Sequence, residues 1–411
     1  MALCRADTAI LRGLAQRVAE AATHPEQKER ERRWYATNAL RPLRPVVFCS
    51  PEGAWEELLP VSGCACDDPL ARAWERSLRM RLYAWERFDD DAVLDDRFPV
   101  NYVYEDSGWG LEPQKTFSDQ ARGAYRWSGA LADDDDLSRL HYPQVSVDQT
   151  ATQERLDLAH HVFDGLLTVE LQGRFWWSTA LIGELAQLRG LEQVMLDMCE
   201  RPAWVHRAMR YLMEGRLQWL DNLQLRGLLA LNNGNDYVGS GGFGWTDELP
   251  APGFDGARVR TQDMWGFAEA QEITGVSPAM HDEFVLQYQI PLLERFGLNC
   301  YGCCEPLHHK FELLKKVPRL RRISISPWCD RRVAAEALED NYVYSWKPHP
   351  GYLADVVFSP EAVRSYIREA LDESRGCVVE IVLKDTHTCN GQPERFDAWT
   401  RIAKEEAERY S

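Results

Sequence analysis

The chain has 411 residues, of which 45% are hydrophobic and 27% charged, and its formal net charge at pH 7 is −17. These proportions are typical of a folded globular protein and exclude a fibrous or largely disordered chain. The negative charge argues against nucleic acids and anionic membrane surfaces as partners. No stretch has the roughly 18 apolar residues of a membrane span. The N-terminal segment predicts an amphipathic helix without the apolar core of a signal peptide. We therefore expect a cytoplasmic protein with neither a nucleic-acid nor a membrane partner.

The cysteine and tryptophan contents are both informative. In a cytoplasmic protein the eleven cysteines are expected to be reduced, so they either fill the core or serve as metal ligands or catalytic groups. The 15 tryptophans allow two interpretations as well. Their aromatic faces either build the core or line a pocket for flat or methylated ligands.

Short apolar runs alternate with helical patterns along the chain. Most of the runs are continuously apolar, as in strands buried on both faces. The eight predicted strands are 45–49, 98–104, 163–170, 226–232, 298–303, 320–326, 342–346 and 377–384. Helices are predicted over 180–200, 203–228, 278–296 and 360–374.

This alternation predicts an α/β fold, a (β/α)8 TIM barrel over residues 41–411. An N-terminal helical extension over 1–40 precedes it, and a cap on the face of the active site is inserted at about 105–160. A doubly wound open sheet is the alternative fold. No strand is followed by a glycine-rich nucleotide-binding loop, so nucleotide binding has no support.

In such barrels the active site lies just beyond the carboxyl ends of the strands. Four of the loops that follow the last five predicted strands carry Cys or His. Together with a neighbouring helix they supply the catalytic candidates Asp236, Glu283, Glu305 and Asp385, and the substrate-binding candidates Asn235, Tyr301, Trp328 and His349. Buried carboxyls can have the raised pKa that acid–base work needs, although each one alone is more often a structural group.

Thiolate and imidazole groups in these loops suit a catalytic zinc ion, which has three protein ligands and one open position. Cys303 and Cys389 are the predicted ligands, with Glu305 or His387 as the third. The ends of strands five and eight can converge across a closed barrel, which predicts that the two sulfurs share one ion. The alternative is that each buried thiol is an inert small hydrophobic group.

Two segments carry a family resemblance, AEAQEITGVSPAMHDEFVLQYQIPLLERFG and YGCCEPLHHKFELLKKVPRLRRISISPWCD. They resemble the uroporphyrinogen decarboxylase superfamily of (β/α)8 barrels, which includes zinc- and corrinoid-dependent methyltransferases. The Ser277-Pro278 to Tyr288 stretch is similar to the family's SP…EF…PY helix, and Asn235-Asp236 is similar to its acidic strand end. The resemblance implies a barrel of the uroporphyrinogen decarboxylase type.

The methyltransferase branch has an H-x-C-G ligand motif after the fifth strand and a cysteine ligand after the eighth. The Tyr301-Gly302-Cys303-Cys304 loop is similar to the first motif, and the loop around Cys389 is similar to the second site. Tyr301 stands where that branch has His, so a zinc ion would need Glu305, Cys304 or His387. The arginine-rich substrate motif of the decarboxylase is missing, and 48–53 stands in its place.

The resemblance implies a zinc-dependent methyltransferase of a corrinoid methyl-transfer system. Zinc is the expected cofactor, and the expected partners are a small methylated substrate or thiol acceptor and a corrinoid protein. One alternative is a metal-free decarboxylase of uroporphyrinogen or a related tetrapyrrole, in which Asp236 stabilises a protonated pyrrole. A second is a non-catalytic protein that binds a corrinoid or tetrapyrrole.

Overall fold

A parallel sheet of continuously buried strands lies at the centre of the protein. The structure is a computed structural model, and it describes residues 3–117, 125–131 and 134–410. Its strands, in chain order, are β1 (Val46–Cys49), β2 (Arg97–Asn101), β3 (Tyr104–Asp106), β4 (Gln114–Phe117), β5 (Tyr125–Ser128), β6 (Val145–Val147), β7 (Thr168–Gln172), β8 (Trp265–Ala268), β9 (Leu298–Tyr301), β10 (Leu320–Ile325), β11 (Val343–Trp346) and β12 (Val378–Leu383).

Helices connect these strands. The α-helices are α1 (Arg5–Ala22), α2 (Pro25–Asn38), α3 (Trp55–Leu58), α4 (Pro69–Arg87), α5 (Gln149–Phe163), α6 (Leu181–Arg189), α7 (Leu191–Glu200), α8 (Pro202–Leu225), α9 (Pro278–His281), α10 (Gln287–Leu293), α11 (Phe311–Leu314), α12 (Arg331–Leu338), α13 (Gly351–Ala354), α14 (Pro360–Glu373) and α15 (Glu394–Tyr410). A π-helical turn (Asp282–Leu286) joins α9 to α10. Among the described residues, none of the helices is both long and apolar enough to cross a membrane.

Six strands form the central sheet in the order β1-β12-β11-β10-β9-β8, and every pair in it is parallel. β2 and β7 form a separate parallel pair, while β3–β6 and β4–β5 are small antiparallel pairs. The fold is therefore α/β with a parallel sheet, consistent with a TIM-like arrangement. Within the described residues, the ladders do not close into the predicted ring of eight strands.

Six of the predicted strands, at 45–49, 98–104, 298–303, 320–326, 342–346 and 377–384, correspond to β1, β2, β9, β10, β11 and β12. The predicted strand at 163–170 starts later, because α5 continues to Phe163 and a turn follows. The predicted helix at 180–200 is two helices, separated at Gly190, whose φ of 90° is incompatible with a continuous helix. β8 was not predicted from the sequence.

The predicted strand at 226–232 is wrong, although this segment lies where a strand would fit. α8 continues to Leu225, and the residues after it form no ladder. A Cβ on Gly173 would lie 1.8 Å from the carbonyl oxygen of Leu228, so the segment packs directly against the end of β7. The side chain of Asn232 accepts from the Trp265 N–H at 2.8 Å and donates to its carbonyl at 3.1 Å. A side-chain amide thus replaces the backbone pairing with β8.

The two flanking regions of the prediction contain regular structure. The segment 1–40 contains α1 and α2, and α1 shares a buried apolar cluster with α4 and α5. The segment 105–160 contains β4, β5, β6 and most of α5. Residues 118–124 and 132–133 of the predicted cap lie outside the described residues.

Candidate active site

A cysteine and a lysine meet at the carboxyl edge of the central sheet. Cys303 follows β9 and Lys384 follows β12, and the Lys384 Nζ lies 3.7 Å from the Cys303 Sγ. Three strand spacings separate β9 from β12, about 14 Å in a flat sheet. The contact therefore requires the sheet to curve so that these strand ends face each other. Both side chains are buried.

The surroundings of Cys303 favour its thiolate form. The hydrogen bond with the Cys304 thiol, whose Sγ lies 3.5 Å away, is the largest influence. Burial opposes ionisation, but the Lys384 ammonium and a hydrogen bond with Ser240 outweigh it, and the pKa of Cys303 falls to about 7. The pKa of Cys304 is raised by that same hydrogen bond and by burial. Cys303 is therefore the sulfur that ionises near neutral pH.

Burial alone would lower the pKa of Lys384, but the Cys303 thiolate, Tyr237 and Asp385 raise it above its ordinary value. Lys384 also donates to the Ser240 Oγ at 3.3 Å. The lysine therefore stays an ammonium in this buried position. Together the two residues form a buried pair of opposite charges.

A second buried lysine lies below this pair. Lys347 follows β11, and its Nζ donates to the carbonyl of Ser345 at 3.0 Å. Burial lowers the pKa of Lys347 to about 8, against the attraction of Glu380. Glu380 in turn pairs with Arg322 at 3.0 Å inside the sheet. The interior of the sheet thus carries buried charges, both within β10 and β12 and at the carboxyl edge.

A glycine-rich loop at 239–242 packs onto the interior of the sheet. A Cβ on Gly239 would lie 2.8 Å from the Cys300 Cβ, and one on Gly241 would lie 2.6 Å from a Val382 methyl. Both glycines also have positive φ, of 65° and 134°. This close approach places the Ser240 hydroxyl within hydrogen-bonding distance of Lys384.

A cavity of about 450 Å³ has Gly239 of this loop in its wall, whereas Cys303 and Lys384 are not wall residues. Tyr237 relates the cavity to the pair, since it lines the cavity and its hydroxyl interacts electrostatically with Lys384 and Cys303. Six of the other 15 wall residues are aromatic. The side chains involved are Tyr104, Phe175, Trp176, Trp177, Trp265 and Phe267, with Gln172, Arg174 and Asn232 as polar members.

Asp236 is buried behind this cavity with both carboxylate oxygens occupied. Oδ1 accepts from Arg174 at 2.7 Å and from Gln172 at 2.9 Å, while Oδ2 lies 3.4 Å from Arg97. Asn235 points elsewhere and donates to the Val93 carbonyl at 2.9 Å. The predicted acid–base candidate is therefore occupied by contacts with two guanidinium groups.

Two further candidates hold the backbone around Cys303. Glu305 is buried and accepts from the N–H of Cys303 at 2.8 Å and from that of Ala270 at 2.9 Å. Tyr301 points to the other face of β9, where its hydroxyl donates to Gln289 at 2.8 Å and lies 2.8 Å from the Nε2 of His281. Both side chains are occupied with internal contacts.

The remaining candidates lie at different distances from the pair. Asp385 is next to it, 3.6 Å from the Lys384 Nζ, and accepts from Cys304 at 3.5 Å. Trp328 is 64% exposed and packs edge-to-face against His349, 5.0 Å between ring centres. Glu283 is exposed and lies 3.5 Å from His206 of α8. The structure brings Asp385 to Cys303 but leaves Glu283 on the outer surface.

The predicted zinc ligands do not form a set. Cys389 is buried, and its Sγ donates to the Glu57 carboxylate at 3.1 Å. Burial and this carboxylate raise the pKa of Cys389 to about 11, so it remains a thiol. His387 is exposed and packs against Gly53. Across the described residues, no group of three His, Cys, Asp or Glu side chains is placed to hold a metal ion. The side chains present do not fit zinc.

Sequence reasoning did not single out Lys347 and Lys384, or Tyr237 and Ser240 in and before the glycine-rich loop. The signal for Lys384 was a lysine that ends the otherwise apolar run CVVEIVLK. Ser240 and Tyr237 were not recognised as site residues, because the glycine-rich pattern around them indicates only a loop. Glu269 follows the strand that was not predicted, and burial, with Glu272 next to it, raises the pKa of this carboxyl to about 9.

Comparison with known proteins adds to the fold. No family model matches the chain, and no curated protein matches it. Among solved structures, 21 chains match. One is a methyltransferase from Methanosarcina mazei, with a TM-score of 0.52 and 11% sequence identity, and the match covers 92% of this chain and 98% of that one. The chain therefore has a methyltransferase-like α/β fold over almost its whole length.

Proposed function

We propose that this protein is an enzyme that transfers a methyl group, with Cys303 and Lys384 as its acid–base pair. The observation that carries the proposal is the 3.7 Å contact between the two charged groups at the carboxyl edge of the sheet. Active sites of TIM-like folds lie at this edge. The likeness to a methyltransferase across 92% of the chain supports methyl transfer as the reaction.

The reaction needs two proton transfers, and the pair supplies both. The Cys303 thiolate takes the proton of a thiol acceptor, and the acceptor sulfur forms its bond to the methyl carbon. The bond from that carbon to the donor's nitrogen or oxygen breaks, and the donor atom keeps the electron pair. The Lys384 ammonium protonates this leaving group. Return of the proton from Cys303 to Lys384 across their 3.7 Å contact restores the pair.

The aromatic cavity is the proposed site of a small methylated amine or ether. Its volume of about 450 Å³ suits a small molecule. The indole and phenyl faces of Trp176, Trp265 and Phe267 attract methyl groups attached to a polarised nitrogen or oxygen. Tyr237 lines the cavity and interacts electrostatically with Lys384 and Cys303, which is the reason for placing the methyl donor at this wall.

The resemblance also implies a corrinoid protein as partner and zinc as cofactor. A corrinoid protein in place of the thiol acceptor remains part of the proposal. Zinc does not, because no three His, Cys, Asp or Glu side chains of the described residues are placed to hold an ion. In the zinc-free site the Lys384 ammonium provides positive charge beside the thiolate.

Decarboxylation of a tetrapyrrole has less support. The residue expected to stabilise a protonated pyrrole, Asp236, already neutralises Arg97 and Arg174. A ligand would have to displace one of these guanidiniums before it reached the carboxylate.

The proposal is tested with methyl donors labelled with carbon-14. Purified protein is incubated with methylated amines and methyl ethers, with a thiol or reduced cobalamin as acceptor, and the label is followed into the acceptor. We expect transfer with at least one donor and a pH profile with a limb near 7, the pKa of Cys303. A second arm adds a metal chelator, which should leave the rate unchanged. Transfer that requires added zinc, or none with any donor, would refute the assignment.

A further inference from the structure

Two adjacent cysteines occupy the edge of the candidate site. The Sγ atoms of Cys303 and Cys304 lie 3.5 Å apart. A disulfide bond is about 2.05 Å long, so the sulfurs need to approach by only about 1.5 Å to become bonded. Rotation about the two side-chain torsions can supply a movement of this size. The pair is therefore geometrically close to a bond between neighbouring residues.

The two sulfurs have different surroundings. Cys303 is buried and faces the Lys384 ammonium at 3.7 Å. Cys304 is half-buried and faces the Asp385 carboxylate at 3.5 Å. A cationic neighbour favours attack by a sulfur, and a partly exposed second thiol next to it is positioned to resolve the product.

The backbone around the pair is irregular on one side and fixed on the other. β9 ends at Tyr301, and Gly302 has a φ of 89°, so the two cysteines lie in a loop outside the ladder. Glu305 accepts from the Cys303 N–H and Ser324 donates to its carbonyl, both at 2.8 Å. The main chain of Cys303 is thus held in place. The Cys304 side chain contacts Asp385 and Cys303.

We propose that Cys303 and Cys304 form a reversible vicinal disulfide when the site meets a hydroperoxide. The Cys303 sulfur attacks the peroxide, the O–O bond breaks, and a sulfenic acid forms while the alcohol or water leaves. The Cys304 thiol then attacks this sulfur, the S–S bond forms and water is released. The peroxide is reduced and two thiols are oxidised, so atoms and electrons balance.

Such a bond is easily reversed. Cα atoms joined by a trans peptide are about 3.8 Å apart, whereas disulfides usually join Cα atoms about 4.4–6.8 Å apart. The ring of a vicinal disulfide is therefore strained, and strained disulfides are readily reduced by thiols. The consequence for activity rests on the proposed function, because the oxidised form lacks the Cys303 thiolate.

The test follows the bond itself by mass spectrometry. The reduced full-length protein is treated with hydrogen peroxide, alkylated and cleaved with trypsin, and the fragment 296–310 is analysed. We expect a fragment that has lost two hydrogens and carries one alkyl group, where the reduced control carries three, with fragmentation that places the bond between residues 303 and 304. Dithiothreitol before alkylation should restore the reduced form. Cys300→Ser, in the same fragment, is the matched control and should leave the bond unchanged.

Cys304→Ser should instead accumulate sulfinic and sulfonic acids on Cys303, because the resolving thiol is absent. A bond from Cys303 to Cys300, or irreversible oxidation of Cys303 in the unmutated protein, would overturn the proposal. Phenylarsine oxide, which bridges two close thiols, gives an answer without a variant and should protect Cys303 and Cys304 from alkylation together. Bond formation without methyl transfer would refute the proposed function alone, whereas methyl transfer without the bond would refute only this inference.

Discussion

Cys303 and Cys389 lie on the same carboxyl edge of the sheet and have opposite chemistry. Cys303 follows β9 and faces an ammonium, and its pKa falls to about 7. Cys389 follows β12 by six residues and faces the Glu57 carboxylate, and its pKa rises to about 11. Both are buried. The difference shows that position on the edge does not make a cysteine reactive and that the contacting side chains do, a thiol donor and an ammonium at Cys303 and a carboxylate at Cys389.

The strongest test of this contrast is removal of each sulfur. Cys303→Ala is expected to lower the rate of methyl transfer at least about 100-fold, the usual contribution of a general acid or base. Cys389→Ala, the matched control, should change the rate less than about twofold, because its thiol only caps Glu57. Initial rates with the labelled donor measure both. An equal loss in the two variants would mean that the cysteines act together, as a shared metal ion requires.

Removal of the ammonium should make Cys303 resemble Cys389. In Lys384→Met the pKa of Cys303 is expected to rise from about 7 toward its ordinary value of 9. The thiolate fraction at neutral pH then falls below about one half, and the general acid is lost as well, so the rate falls at least about 100-fold. The pH profile of the rate measures the shift, with the exposed Lys28→Met as control. If the profile keeps its limb near neutral pH, Lys384 does not lower the pKa of Cys303.

A contrast between a buried and an exposed group also applies to two carboxyls. Asp236→Asn should lower the free energy of unfolding by about 2 kcal/mol, because Arg97 and Arg174 lose their shared carboxylate. Glu283→Gln should change it by less than about 0.5 kcal/mol, since this group is on the surface. Urea denaturation measures both. A stable Asp236→Asn variant without activity would instead make Asp236 a catalytic residue.

Glu57, the carboxyl that contacts Cys389, makes the stability of the fold depend on pH. Hydrogen bonds from Thr388, Gly391 and Cys389 outweigh burial and lower the pKa of Glu57 from 4.5 to about 2. A carboxyl with a depressed pKa stabilises the fold above its unfolded pKa, and this stability is lost as the pH falls from about 4.5 toward about 2. Glu57→Gln should therefore lower the urea midpoint at neutral pH and make little difference near the lower limit. Equal midpoints at neutral pH would exclude the stabilising role.

Much of the fold was predictable because the buried strands are continuous apolar runs. β1, β9, β10, β11 and β12 correspond to such runs, and their order places the loops of the site on one edge. The segment 226–232 looks the same in sequence, yet Asn232 pairs with Trp265 through its side chain. An apolar pattern indicates burial between two layers, and it does not report whether backbone ladders form.

The site was predictable in place but not in chemistry. The sequence indicated the loop of Cys303 correctly as part of the carboxyl edge. It could not show that Lys384 rather than Cys389 faces the sulfur, because this depends on the curvature of the sheet and on side-chain direction. Glu57, which accepts a hydrogen bond from the Cys389 thiol, is about 330 residues away in the chain, and no local pattern connects the two.

The central claim is that the neighbouring side chains, through hydrogen bonds and charge, give the two cysteines different ionisation. Protein labelled with carbon-13 at the cysteine Cβ allows the shift of each residue to be followed against pH by NMR, with Cys303→Ser and Cys389→Ser for assignment. We predict an inflection near pH 7 for Cys303 and near pH 11 for Cys389. Two inflections at the same pH, close to that of an ordinary thiol, would contradict the account.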